Sequence, residues 1–291
     1  MLLTVEPFVQ SSDLIKKGDI NMNFIQVDKE KCTQCGLCVN VCRGALGIGT
    51  YGPEVIKQQC ISCGHCVAAC PNGALDNLNS PLKNQVLLKK NLNLNADSAA
   101  QFLRSRRSIR SYKKIAVPRE KISKLLDIAR FAPSACNLQG VSYHVIDNPN
   151  TLKKITEITI EWAEEKYKDD TSTLASSIKT QVDNYHKYGI DVVLRSAPCL
   201  IVAITDSSMM SIGRDDTHFA LAYAQLYAPT IELGTCWAGF FENCATSCYQ
   251  PLQRILNLPQ NMSVTGGLMV GFPKYTFKRL VDRNPLQITW E

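Results

Sequence analysis

Cys32-Thr-Gln-Cys35-Gly-Leu-Cys38-Val-Asn-Val-Cys42 and Cys60-Ile-Ser-Cys63-Gly-His-Cys66-Val-Ala-Ala-Cys70-Pro71 write one pattern twice, C-x2-C-x2-C-x3-C. Thiolates at that spacing, in two complete copies, point to two [4Fe–4S] clusters. Zinc sites also use C-x2-C pairs, but three cysteines at two-residue intervals followed by a fourth is not zinc spacing. His65 lies between two ligands and reads as a surface residue. Gly36 and Gly64 follow the second cysteine of each run, where the backbone has to turn tightly.

The double run resembles bacterial two-cluster ferredoxins. That resemblance implies crossed ligation, in which the fourth cysteine of each run serves the other cluster. Cys32, Cys35, Cys38 and Cys70 would then hold one cluster, and Cys60, Cys63, Cys66 and Cys42 the other. Phe24–Val27 and Val55–Lys57 read as short strands leading into the two runs.

The chain is far too long for such a module alone. It has 291 residues, 45% of them hydrophobic and 20% charged, with a formal net charge of +6. A chain of that size buries roughly three quarters of its unfolded surface, so its main core needs no metal, whereas a module of ~50 residues depends on ligation to fold. No apolar run reaches the ~18–20 residues of a membrane span. The N-terminus lacks the basic and apolar regions of a secretory signal. Eight of the thirteen cysteines stand at cluster spacing, which suggests a reducing cytoplasm rather than a disulfide scaffold, and exposed clusters suggest low oxygen. A basic patch runs through Arg104–Arg110 and Lys113-Lys114, yet no nucleic-acid motif accompanies it, so neither nucleic acid nor membrane is an expected partner.

In order, residues 1–23 read as an extension, 24–78 as the cluster domain, 79–96 as a linker and 97–291 as a second domain. Lys16-Lys17-Gly18-Asp19 has codons that can spell a ribosome-binding sequence ahead of Met22, which makes Met22 a candidate start; an arm packed on the body is the alternative. The linker is rich in turn formers, with Gln85–Lys90 expected to pack between domains. The second domain is α+β. Helices are expected from Ala99 to Arg107 with Asp97 or Ser98 as cap, from Arg119 to Phe131 behind Pro118, twice within 151–188, over 216–233 with Gly234 as stop, and over Cys244–Leu256. Buried strands are expected at Tyr143–Ile146, 197–205 and 264–271.

Three polar clusters in this domain are surplus to a core. Arg106-Arg107-Ser108-Ile109-Arg110 suits phosphate, because each guanidinium fork bonds two oxygens. Pro133-Ser134-Ala135-Cys136-Asn137-Leu138-Gln139 is a small-residue turn that lets backbone approach a flat ring, with amides that donate and accept. Lys278-Arg279-Leu-Val-Asp-Arg283-Asn-Pro285 is again basic. Together they describe a site for an anionic, ring-containing cofactor.

These clusters, with Leu233-Gly-Thr-Cys-Trp-Ala-Gly239 and Gly271-Phe-Pro273, resemble in order and spacing the FMN-dependent nitroreductase family, over residues 97–291. The whole chain is similar to nitroreductases with a fused two-cluster ferredoxin domain. The resemblance implies a mixed sheet wrapped by helices and a homodimer with FMN at its interface. Arg106, Arg107, Ser108 and Arg110 would hold the phosphate, ribityl chain and N1/O2 edge. Pro133, Ser134, Ala135 and Asn137 of the other subunit would line the ring. Ala238 and Gly239 would turn backbone N–H groups to N5 and O4, and Arg279 and Arg283 would clamp the phosphate. One departure stands out: Val281 occupies a position where many relatives carry a basic residue.

The implied activity is reduction of nitroaromatic, quinone or similar small electron-poor acceptors, with no catalytic triad because FMN carries the chemistry. Electrons would come through the two clusters from ferredoxin or another donor, or as hydride from NAD(P)H; the missing dinucleotide fingerprint does not decide between them. Two other readings stay open: a reductase of enoates or halogenated rings on the same fold, and a non-enzymatic electron-storage or redox-sensing protein. Cys244 and Cys248 are spaced to share a helix face. His144, His186 and His218 read as structural, and Trp237 with Phe240-Phe241 as either core or pocket wall.

Overall fold

The computed structural model describes residues 24–42, 44–57, 59–89 and 94–291. The extension and the candidate start at Met22 lie outside the described residues. The chain divides into two compact units, Met1–Asn93 with Cys136–Leu138, and Leu94–Ala135 with Gln139–Glu291.

The first unit is a doubled motif. Strand β1 (Ile25–Val27) leads to helix α1 (Leu37–Val41), and β2 (Leu46–Gly49) follows. Then β3 (Gly52–Val55), α2 (His65–Ala68) and β4 (Leu75–Asn77) complete the repeat. The pairing is crossed: β1 runs antiparallel to β4, with Val27 opposite Leu75 and Ile25 opposite Asn77. β2 runs antiparallel to β3, with Val55 opposite Leu46 and Pro53 opposite Ile48. Val27 and Val55 stand equally far ahead of their cysteine runs, so Leu75 matches Leu46 and Asn77 matches Ile48 across the repeat. The small core is Phe24, Ile25, Ala45, Leu46, Val67, Ala74 and Leu75 with the buried Cys38 and Cys66. The expected strand at Val55–Lys57 ends at Val55, and β2 is a strand the sequence reading did not contain. Gln85–Lys90 was expected to be packed, yet Val86, Leu87 and Leu88 are each more than nine-tenths exposed.

In the second unit α3 (Ala96–Ser105) starts earlier than expected, because Asn95 is its cap and its side chain accepts the Ser98 N–H. α4 (Arg119–Ala129) buries Ile122, Leu125 and Ala129. β5 (Ser142–Ile146), α5 (Pro149–Lys166) and α6 (Thr173–Tyr188) follow, the two helices capped by Asn148 and Ser172. β6 (Cys199–Asp206) is almost wholly buried. α7 runs from Met210 to Tyr227, starting before the expected 216. It ends in a 3-10 turn, Ala228–Ile231, closed by Glu232 at φ 66° rather than by Gly234. Gly234 instead opens β7 (Gly234–Trp237), a strand the sequence reading did not contain. The single helix expected over Cys244–Leu256 is two, α8 (Gly239–Thr246) and α9 (Gln250–Leu256), broken where Cys248 takes φ 57°. β8 (Met262–Gly271) completes the sheet.

The sheet order is β5-β6-β8-β7, and its named ladders are all antiparallel. A parallel element enters only as a bridge between Ser108 and Thr235. Both faces are covered, which explains the continuous apolar run of β6. Leu200, Val202 and Ile204 pack into one core with residues of α5, α6, α8 and α9. Cys199, Ile201 and Ala203 pack into the other with α4 and α7. Among the described residues no helix is long and apolar enough to cross a membrane.

Candidate cofactor sites

The two cysteine runs adopt the same backbone. Gln34 and Ser62, inside the first C-x2-C of each copy, have φ of 53° and 55°, and the glycines after the second cysteine, Gly36 and Gly64, have φ of 75° and 71°. Left-handed residues on either side of the second cysteine turn the chain tightly at the same place in both copies. Cys32, Cys35, Cys38 and Cys70 line one cavity, together with Ile48 and Pro71. Burial raises the Cys38 thiol above its ordinary value, and the neighbouring Cys70 and Cys32 add to the shift. Burial likewise raises Cys66, whose thiol neighbours are Cys42 and Cys60. The fourth cysteine of each run thus stands beside the first and third cysteines of the other run. Among the described residues no three His, Cys, Asp or Glu side chains close on a single metal ion. Cys32, Cys35, Cys38 and Cys70, set around one cavity, fit a multi-iron cluster. The Ala74 N–H donates to the Cys70 sulfur at 3.2 Å.

The second site is built on the edge of the sheet. The segment after α3 is pinned along β7: the Ile109 N–H donates to the Thr235 carbonyl at 2.9 Å, and the Tyr112 hydroxyl turns back to the Ile109 carbonyl at 2.6 Å. Gly234 permits this approach, because a Cβ there would stand 2.6 Å from the Ile109 side chain. The Lys113 N–H donates to the Phe272 carbonyl, and the Lys274 N–H to the Ser111 carbonyl. The result is an open cavity of about 860 Å3 lined by Arg104, Arg106, Arg107, Ser108, Arg110 and Arg283, with Phe277 and Val281 as apolar wall and Asp282 as its acid. Arg107 stacks over Phe277 at 4.9 Å and donates to the Arg279 carbonyl at 3.0 Å. Arg279 thus presents its backbone to Arg107, and Arg283 lines the cavity. Five guanidinium groups with one hydroxyl fit a phosphate-bearing ligand.

The Pro133–Gln139 turn is anchored from α7. The buried Asp216 accepts the Ala135 N–H at 2.9 Å, and the Ser134 hydroxyl accepts the Gln139 N–H at 3.0 Å. Cys136, Asn137 and Gln139 all have positive φ, a strained run for residues with side chains.

Ala238 and Gly239 differ. The Ala238 N–H donates to the Gly267 carbonyl at 2.8 Å and so belongs to the sheet. The Gly239 N–H opens α8, where a helix has no internal acceptor for it. Beside them the Trp237 indole N–H donates to the buried Glu242, whose other oxygen lies 3.4 Å from Arg214. His218 packs on Trp237 at 5.1 Å between ring centroids. Phe241 is core, and Trp237 and Phe240 are half-buried. Cys244 is buried and Cys248 exposed beyond the helix break, so they share no helix face. His186 pairs with Glu164 at 2.7 Å.

Arg104, Phe277, Asp282, Asp216 and Glu242 were not among the expected site residues. Arg104 was visible as part of the basic patch. Asp216 and Glu242 carry no local signal, because an acid in a helix reads as a solvated face.

Residues 103–272 match the family model described as the Nitroreductase family, and residues 24–71 match that of the 4Fe-4S dicluster domain. A "Putative NADH dehydrogenase/NAD(P)H nitroreductase" of Methanothermobacter thermautotrophicus is 26% identical over 176 residues, covering 60% of this chain and 76% of its own. A protein of the same description from Archaeoglobus fulgidus is 24% identical over 182 residues, covering 61% and 87%. The solved structure of a nitroreductase with bound FMN from Bacteroides fragilis superposes with a TM-score of 0.53 at 18% identity, covering 66% of this chain and 98% of its own, which shows a shared fold. A match over more than half the sequence, on the unit that carries the arginine cavity, settles the family: the chain is an oxidoreductase of the Nitroreductase family, with a 4Fe-4S dicluster domain on its N-terminal side.

Proposed function

We propose that this protein reduces nitroaromatic, quinone or similar electron-poor acceptors on FMN, with electrons delivered through two [4Fe–4S] clusters. The observation that carries the reading is the cavity of Arg104, Arg106, Arg107, Arg110 and Arg283 beside Ser108 and Phe277. FMN, when bound, supplies the exchange between one-electron and two-electron chemistry. The chain's own work is binding and orientation. In this reading Arg106, Arg107, Ser108 and Arg110 hold the phosphate, ribityl chain and N1/O2 edge, and Arg283 with Arg279 closes on the phosphate. With FMN bound, the guanidinium groups would offset negative charge on the ring, and the Gly239 N–H would be available to it as a backbone donor. Cys32, Cys35, Cys38 and Cys70 hold one cluster, and Cys60, Cys63, Cys66 and Cys42 the other. Pro133, Ser134, Ala135 and Asn137 come from a second copy of the chain. In support of a dimer, α7 exposes Ile212, Phe219 and Tyr223 at helical spacing. None of the thirteen cysteines is in a disulfide, which suits a cytoplasmic protein.

The test is anaerobic purification followed by iron, sulfide and flavin analysis. About eight irons and one extractable FMN per chain are expected, and the double variant Arg107→Ala/Arg110→Ala should lose the flavin while keeping its iron. A wild-type protein that binds no flavin overturns the reading. Stopped-flow mixing with NADH separates the donors: rapid flavin bleaching in protein stripped of its clusters would count against delivery through them.

A further inference from the structure

The two halves of the cluster unit are matched position by position by their strand registers, and at one of these positions an apolar side chain is replaced by a buried hydrogen-bonding one. Ile48 on β2 lines the cavity of Cys32, Cys35, Cys38 and Cys70. Its counterpart on β4 is Asn77, which is 1% exposed. An amide buried there needs partners, and all of its groups have one. The Asn77 carbonyl accepts the Ser80 N–H at 3.0 Å. The side-chain oxygen accepts the Asn79 N–H at 2.9 Å. That bond fixes which end of the amide is oxygen, so the NH2 end points the other way, where the Cys60 sulfur lies 3.8 Å from Nδ2. Cys60 belongs to the set completed by Cys63, Cys66 and Cys42. Ile48 has nothing to donate.

We infer that the Asn77 side-chain amide is a redox-tuning donor, raising the reduction potential of the cluster held by Cys60, Cys63, Cys66 and Cys42. The inference rests on reading those cysteines as [4Fe–4S] ligands. A reduced cluster carries one more negative charge than an oxidised one, so an N–H···S bond strengthens on reduction and favours the reduced state. The step is uptake of one electron from an external reductant, with no bond to Asn77 made or broken. The half with Asn77 is then a better electron acceptor than it would be with isoleucine there.

The experiment is a mediated anaerobic potentiometric titration of the full-length protein, reduced with dithionite and read by EPR. Wild-type protein that lacks about eight irons refutes the ligand reading itself, before potentials are considered. With clusters present, Asn77→Leu should move one midpoint to a more negative potential and leave the other in place. A charge-assisted hydrogen bond is worth roughly a tenfold change in the reduced-to-oxidised ratio, about 59 mV for a one-electron couple. Asn77→Asp keeps the shape and the bond from Asn79 while removing the donors, and should move the same midpoint in the same direction. Ile48→Asn should move the other midpoint to a more positive potential. The inference is overturned if the iron-complete Asn77 variants leave both midpoints unchanged or move both equally. It is also overturned if both variants lose iron from that cluster, since the amide is then a structural part and not a tuning one.

Discussion

The Asp216 carboxylate, buried on α7, accepts the backbone N–H of Ala135 at 2.9 Å and so holds the residue just ahead of Cys136, Asn137 and Gln139, which all have positive φ. A strained run persists only where its surroundings fix it. Asp216→Ala leaves that N–H without its partner and should cost about 1–3 kcal/mol in urea unfolding, with weaker flavin retention. Asp216→Asn keeps an acceptor and should cost clearly less. Equal losses in the two variants would show that the bond to Ala135 is not what matters.

Glu242 ties together two elements, accepting the Trp237 indole N–H and facing Arg214 at 3.4 Å. Glu242→Leu fits the apolar surroundings but orphans the indole, for an expected loss of about 1–3 kcal/mol. Glu242→Gln still accepts from Trp237 and should lose less. Near-UV circular dichroism reads the Trp237 environment directly, and an unchanged spectrum in Glu242→Leu would refute the positioning role.

Alkaline pH should destabilise the second unit through its buried thiols. Burial pushes both Cys199 and Cys244 up to about 12, against an unfolded value of ~8.5. The folded state therefore favours the protonated thiol. Its stabilising effect is complete below the unfolded value and is lost as pH rises toward the folded one. Between about pH 9 and pH 12 each thiol should steepen the fall by ~1.4 kcal/mol per pH unit. Cys199→Ala is expected to flatten the stability-versus-pH curve by one thiol's slope, whatever it does to stability at pH 7. A curve merely shifted down, with its slope intact, would rule the thiol out as the cause.

Crossed ligation has its own signature. Cys70→Ala should abolish the same EPR signal as Cys38→Ala, although Cys70 lies in the other sequence run, and Cys42→Ala should abolish the same signal as Cys66→Ala. Each variant should fall from about eight irons toward four. Signals that sort by sequence run instead would show uncrossed ligation.

What the sequence disclosed follows the range of the forces involved. The cysteine spacing, the αL glycines Gly36 and Gly64, and helices α5 and α6 are set by residues within a turn of one another, and they read directly. β7 did not read, because a four-residue strand ending at Trp237 exists only through its pairing with β8. The end of α7 was misplaced because Glu232, not a glycine, takes the left-handed position. The helix break at Cys248 was hidden for the same reason. In the site, the arginines were legible as a cluster of one charge. Asp216 was not, since its partner is the Ala135 N–H, 81 positions away in sequence. Asn77 sat at the end of the cluster domain beside turn-forming residues, and only the register of β4 against β1 reveals it as buried.

The crossed strands and cysteines also bear on chain topology. With both clusters bound, the closure from Cys32 to Cys70 encloses the one from Cys42 to Cys66, so the small unit is tied by two nested staples. Closing a loop of roughly 40 residues removes on the order of 4 kcal/mol of unfolded-chain freedom by the entropy estimate used for disulfides. A core this small has no comparable reserve. Destroying the outer cluster by oxygen would therefore untie a loop that spans most of the unit, so that this oxidative hit also loosens the chain around the surviving inner cluster.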